Sequence, residues 1–185
     1  MTDILALHYR TFLLKSLADI LSNSSEELTD FIVKCPDNTS QNQTTSELRT
    51  FKLLLVARSK YFEALTRQEP ETKVTNLEYD ANDVKIILDN LVDMSEDLLK
   101  LEVSELLRLL EIADFLQMDI LTKVFEELIS RQISKENIYY IVKFTEKFQF
   151  PNLNAKCFNF VIVNNQQLDF NLFSNSWLFR LADSI

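Results

Sequence analysis

The stretch Arg49-Thr50-Phe51-Lys52-Leu53-Leu54-Leu55-Val56-Ala57-Arg58-Ser59-Lys60-Tyr61-Phe62-Glu63-Ala64-Leu65 decides the fold. From Phe51 onward its composition is helical, and Ser59, a residue type favoured at helix N-termini, divides it into two short helices. Pro70 closes the region, because proline disfavours a helical residue before it. Just upstream, residues 48–50 read as the returning strand of a hairpin whose first strand is Phe31-Ile32-Val33, a β-forming triplet behind Thr29-Asp30. Between them, residues 36–47 are mainly Asp, Asn, Thr, Ser and Gln with no apolar periodicity, which predicts an exposed, mobile loop.

Downstream, residues 73–79 bring Val74, Thr75 and Leu77 in a strand-like context. Asp80 then stands as N-cap to a helix holding Val84, Ile87, Leu88 and Leu91, with Asp83 in the first turn where negative charge is favoured. From Val103 the chain reads as helical throughout. Leu106, Leu107, Leu110, Ala113 and Phe115 form one amphipathic helix, and Ile120, Leu121, Val124, Phe125 and Leu128 form the next. Ser134 is expected to cap a helix through Ile138, Ile141, Val142 and Phe144 that stops at Phe150-Pro151. Ala155, Phe158, Phe160, Val161 and Ile162 form another, and residues 168–173 and 177–182 two short final ones, with Trp177 and Phe179 partly exposed. Strands early and helices late make this an α+β chain.

At the N-terminal end, Leu13, Leu17, Ile20 and Leu21 recur at helical spacing, while Phe12 and Leu14 add apolar surface in neighbouring directions. A helix apolar over more than one stripe packs on its own core and on a partner, so a dimer interface is expected here. A helix buried wholly within one subunit is the alternative.

The 185 residues, 46% hydrophobic and 25% charged, suit one domain or two small ones with a substantial core. There is no glycine, which excludes a P-loop, a GxGxxG dinucleotide turn and a GxSxG nucleophile elbow. A formal charge of -9 opposes direct binding to nucleic acid. Arg10, Lys15 and Asp19 interrupt the leucine-rich residues 4–21, so neither a secretory signal nor a membrane span is expected. Asn23-Ser24-Ser25, Asn38-Thr39-Ser40 and Asn42-Gln43-Thr44 then read as chance matches to the glycosylation pattern. Cys35 and Cys157 lie far apart with no metal-ligand spacing and read as reduced thiols of a cytoplasmic or nuclear protein. His8 is the only histidine, which excludes a multi-histidine metal site, and no carboxylate pair stands at a spacing that would converge. The chain therefore reads as a non-enzyme without cofactor or metal, and its acidic clusters as solvated faces.

Lys52, Leu55, Ala57, Arg58, Ser59, Tyr61 and Phe62 resemble the signature of the BTB/POZ domain, with Phe51 where that family usually has histidine. Residues 28–33 are similar to its first sheet strand, Ala113-Asp114-Phe115-Leu116-Gln117-Met118 to its late helix signature, and residues 8–21 to its long dimerising helix. After Ile133, Asn137-Ile138, Phe150-Pro151-Asn152-Leu153, Cys157 and Phe160 resemble the start of a BACK domain. The resemblance implies a BTB/POZ domain over 1–132 and a partial BACK region over 133–185.

By function it implies a homodimeric adaptor, or one paired with another BTB protein, holding cullin-3 as part of a ubiquitin ligase and recruiting an unknown client. A scaffold or co-regulator that binds peptides without a cullin is the alternative. On this resemblance Leu13, Leu14, Leu17, Asp30 and Arg49 belong to the dimer interface, the last two in a charged pocket. Tyr61, Leu65, Glu69 and Glu71 face the cullin. Three features depart from the family pattern. Glu69-Pro70-Glu71 lacks the hydrophobe usually found two positions before the glutamate, the loop 36–47 is long and polar, and Asp89-Asn90-Leu91-Val92-Asp93 replaces a tyrosine-rich helix end. The tail also stops short of a full BACK domain, so the chain is either minimal or a fragment.

Overall fold

Alternation along Phe31, Val33 and Cys35, all buried, builds the first strand. The computed structural model describes residues 29–37 and 44–182. Strand β1 spans Phe31–Asp37, β2 Thr44–Thr50 and β3 Val74–Asn76, in the order β2-β1-β3. β1 and β2 are antiparallel in the register Phe31↔Thr50 to Asp37↔Thr44, and β3 runs parallel to β1 at Ile32↔Val74 to Lys34↔Asn76.

The strands of the hairpin are longer than the sequence suggests: within the polar run 36–47, Pro36, Asp37 and residues 44–47 are strand, and residues 38–43 lie outside the described residues. Pro36 is tolerated in β1 because β3 pairs only as far as Lys34, so no ladder bond to β3 is lost at the proline. Threonine and serine on β2 supply residues suited to a half-exposed edge, and Lys34 pairs across the hairpin with Glu47 at 2.9 Å. That lysine holds the Glu47 carboxyl below its ordinary range.

Helices α1 (Lys52–Arg58) and α2 (Lys60–Gln68) meet at Ser59, as the signature stretch predicts. Helix α3 (Ala81–Asp89) begins where Asp80 accepts the Asn82 N–H at 2.9 Å, and a 3₁₀ turn (Glu96–Lys100) follows it. Helices α4 (Val103–Phe115), α5 (Asp119–Arg131), α6 (Ile138–Phe148), α7 (Pro151–Val163) and α8 (Asn175–Ala182) complete the order, with 3₁₀ turns at Asn165–Gln167 and Phe170–Leu172.

Two compact units divide the chain, Met1–Lys100 with Ile112–Asp119 and Leu101–Glu111 with Ile120–Ile185. The first holds the sheet and buries Phe31, Val33, Cys35, Leu55, Phe62, Leu77, Val84 and Ile87. The second is helical and buries Phe125, Ile129, Ile141, Leu153, Val161 and Trp177. None of the described helices is long and apolar enough to cross a membrane.

Four local expectations are corrected. Ser134 does not cap α6; its N–H donates to Asn137 Oδ1 at 2.8 Å in a turn that delays the helix to Ile138. Trp177 is fully buried, because Phe158 and Phe173 cover it at ring distances of 4.7 and 4.9 Å and its indole N–H reaches Asn154 Oδ1 at 2.8 Å. Phe115 and Ile120 are exposed instead of buried with their helices. Phe115 lies about 200° around the helix from Ala113, away from the buried line through Leu106, Leu110 and Ala113. Phe179 is exposed, as expected.

Candidate partner-docking face

Helix α2 repeats every four residues toward its C-terminus through Tyr61, Leu65 and Glu69, which places the three along one face. The face begins at Ser59, whose side chain accepts the Phe62 N–H at 3.2 Å and donates to the Leu116 carbonyl at 2.6 Å. Phe62 turns inward, is buried and meets Phe31 edge-on at 5.9 Å. Tyr61 turns outward, half-buried, with its ring 5.4 Å from Phe115. The Tyr79 ring also lies 5.4 Å from Phe115, which is 46% exposed. A partly solvated aromatic cluster thus stands at one end of the α2 face.

The other end is a four-residue turn, residues 69–72, closed by the Thr72 N–H on the Glu69 carbonyl at 3.1 Å. Pro70 occupies its second position, where a fixed φ is favoured. Thr72 Oγ1 also donates to Glu69 Oε2 at 2.8 Å, and Glu71 projects from the tip into solvent. From α1, Lys52 Nζ donates to the carbonyls of Pro70 and Thr72 at 2.5 and 2.9 Å. The four residues expected to face a cullin therefore lie in sequence along one helix face and its closing turn.

The residues expected at the dimer interface are placed only in part. Leu13, Leu14 and Leu17 lie outside the described residues. Asp30 is exposed and its Oδ1 accepts the Lys52 backbone N–H at 2.8 Å, capping α1, whose own N-cap Phe51 has no side-chain acceptor. Arg49 is exposed on β2 opposite Ile32, and no ion pair joins it to Asp30 among the described residues.

Phe115 and Tyr79 are the members of this face that sequence reasoning missed. The signal for Phe115 was present, since it falls two residues past the last member of a regular buried line. Tyr79 joins through a tertiary contact with no local mark. The two thiols are unsuited to chemistry: burial pushes Cys35 up to about 11, with Asp80 adding to it, and Cys157 up to about 12.

Comparison with known proteins is informative at the level of family. No curated protein matches the chain. The BTB (Tramtrack and Bric a brac) domain of human gigaxonin is a similar solved structure, at 22% sequence identity and a TM-score of 0.44, covering 62% of this chain and 86% of that one. The family model for the BTB/POZ domain matches residues 21–133, a span that takes in the sheet, the two signature helices and the turn after α2, and the chain belongs to the BTB/POZ family of protein-interaction domains.

Proposed function

We propose that this chain is a dimeric BTB adaptor with a partial BACK extension, which presents the α2 face to the N-terminal region of cullin-3 and so delivers a client to a ubiquitin ligase. The observation that carries the reading is the placing of the Tyr61–Phe115–Tyr79 cluster at one end of α2, with Leu65 and Glu69 following Tyr61 at four-residue spacing and Glu71 on the turn beyond. Such an arrangement combines the two ingredients of a docking surface: partly desolvated aromatic rings that supply affinity, and rim carboxylates that set orientation and encounter rate. Self-association involving Leu13, Leu14, Leu17, Asp30 and Arg49 accords with the family's use of BTB domains for self-association and for binding other proteins.

Binding of the purified chain to the cullin-3 N-terminal region, measured by calorimetry, tests the proposal. Micromolar or tighter affinity is expected. Tyr61→Ala is expected to weaken it by about tenfold or more and Glu71→Ala by about threefold, as suits a central ring and a rim charge. Absence of binding by the wild-type chain overturns the reading.

One observation favours a second reading. The turn carries Glu69 where the cullin-binding pattern has a hydrophobe, and that carboxylate is tied to Thr72. A scaffold that uses the same face for a peptide partner, without a cullin, accommodates it. Loss of a peptide ligand in Tyr61→Ala, with no cullin binding by the wild-type chain, would establish that alternative.

A further inference from the structure

Lys52 reaches further than its position in the signature suggests. Its backbone N–H is capped by Asp30, so the residue is anchored at the first turn of α1. Its side chain then crosses to the far end of α2, a separation of 18 residues to Pro70 and 20 to Thr72. There the ammonium donates to two carbonyls of one turn at 2.5 and 2.9 Å, and it lies 6.0 Å from the Phe31 ring centroid. Charge-assisted bonds to two oxygens of a single turn fix both its position and its orientation, because moving either carbonyl stretches one of them. The ties within the turn, Thr72 N–H to the Glu69 carbonyl and Thr72 Oγ1 to Glu69 Oε2, hold its shape, and backbone bonds pin its two ends, Glu69 N–H to the Leu65 carbonyl and Ile32 N–H to the Lys73 carbonyl, both at 2.8 Å; Lys52 is the side chain that ties the turn's own carbonyls to α1.

We propose that Lys52 is the positioning residue of the turn 69–72, the cation that holds Glu69 and Glu71 in the orientation a partner reads. The inference rests on the reading of that turn as part of the docking face. It adds a residue that touches no partner and acts through the carbonyls of Pro70 and Thr72.

Lys52→Met keeps an unbranched apolar side chain and removes the ammonium, whereas Lys52→Arg keeps a multi-donor cation. Hydrogen exchange of the intact chain is expected to show the Thr72 amide exchanging about tenfold faster in Lys52→Met, with β1 and α3 unchanged and Lys52→Arg restoring most of the protection. Affinity for the cullin-3 N-terminal region is expected to fall roughly fivefold or more in Lys52→Met and to recover in Lys52→Arg.

Unchanged exchange at Thr72 overturns the proposal whatever the affinities are. Faster exchange with unchanged affinity also overturns it, since the turn would then be held but not read. No binding by the wild-type chain sinks the docking reading and the partner-facing half of this inference with it, while the exchange result still judges the lysine-to-turn link on its own. A measurement needing no variant covers the case in which Lys52→Met fails to fold. Ammonium protons of Lys52 should exchange with water more slowly than those of the exposed Lys73, and equal rates overturn the link.

Discussion

Ser59 joins three pieces of the first unit through one hydroxyl. It ends α1, where its N–H reaches the Leu55 carbonyl at 2.9 Å, and it begins α2 by accepting from Phe62. The same oxygen donates to Leu116, 57 residues away, and the side chain is 2% exposed. Ser59→Ala removes a cap and leaves a buried N–H and a buried carbonyl without that partner, at a cost of about 2 kcal/mol. The thermal midpoint is therefore expected to fall by about 4–8 °C, as followed by circular dichroism. A drop below about 1 °C would mean that water replaces the hydroxyl and that the junction is not closed. Ser59 was legible from sequence as a break between helices. Its link to Leu116 was not, because a serine in a signature says nothing about which distant carbonyl the fold will bring to it.

Among the elements, the corner between α6 and α7 shows local and non-local causes side by side. Gln149 ends α6 in the left-handed region, at φ 54°, Phe150 is extended before proline, and Pro151 opens α7 at a position where its missing N–H is harmless. Gln149→Gly is expected to stabilise the chain by about 0.5–1 kcal/mol, since glycine carries no penalty in that region. A higher urea midpoint at constant slope would report it, and a lower midpoint would mean that the glutamine side chain makes a compensating contact. The N-terminus of α7 is covered from outside its own segment. The buried Glu126 of α5 accepts the Leu153 N–H at 3.3 Å and the Asn152 amide at 3.4 Å. By sequence alone an acidic run such as Glu126-Glu127 reads as a solvated face. Only the approach of α7 turns one of that pair inward, where the helix dipole and the free N–H groups offset the burial of its charge.

For the whole molecule, the decisive property is what the apolar N-terminal stretch does. Replacing Leu13 and Leu17 together by Asp is expected to convert a dimer into a monomer in light scattering, because two carboxylates in an apolar interface would have to be buried or the contact given up. A wild-type chain that scatters as a monomer, or a variant that stays dimeric, would remove self-association through residues 13–17 from the account. The result also bears on the docking face, since an adaptor that holds two partners at once needs both copies. Net charge enters at this scale too. At -9 the chain attracts basic partners over distances of about one Debye length, so its association rates with them should fall as salt rises.

The order of strands and helices, the break at Ser59, the Asp80 cap and the corner at Pro151 follow from the chain alone. Each depends on backbone preferences and on neighbours within a few residues, and these are written locally. Tertiary structure alone decided that the hairpin runs through Pro36, that Trp177 is enclosed, that Phe115 faces outward beside Tyr61 and Tyr79, and that Lys52 holds the turn after α2. These depend on which distant surfaces meet, and burial, ring contacts and long-range hydrogen bonds acquire partners only when the chain has closed on itself.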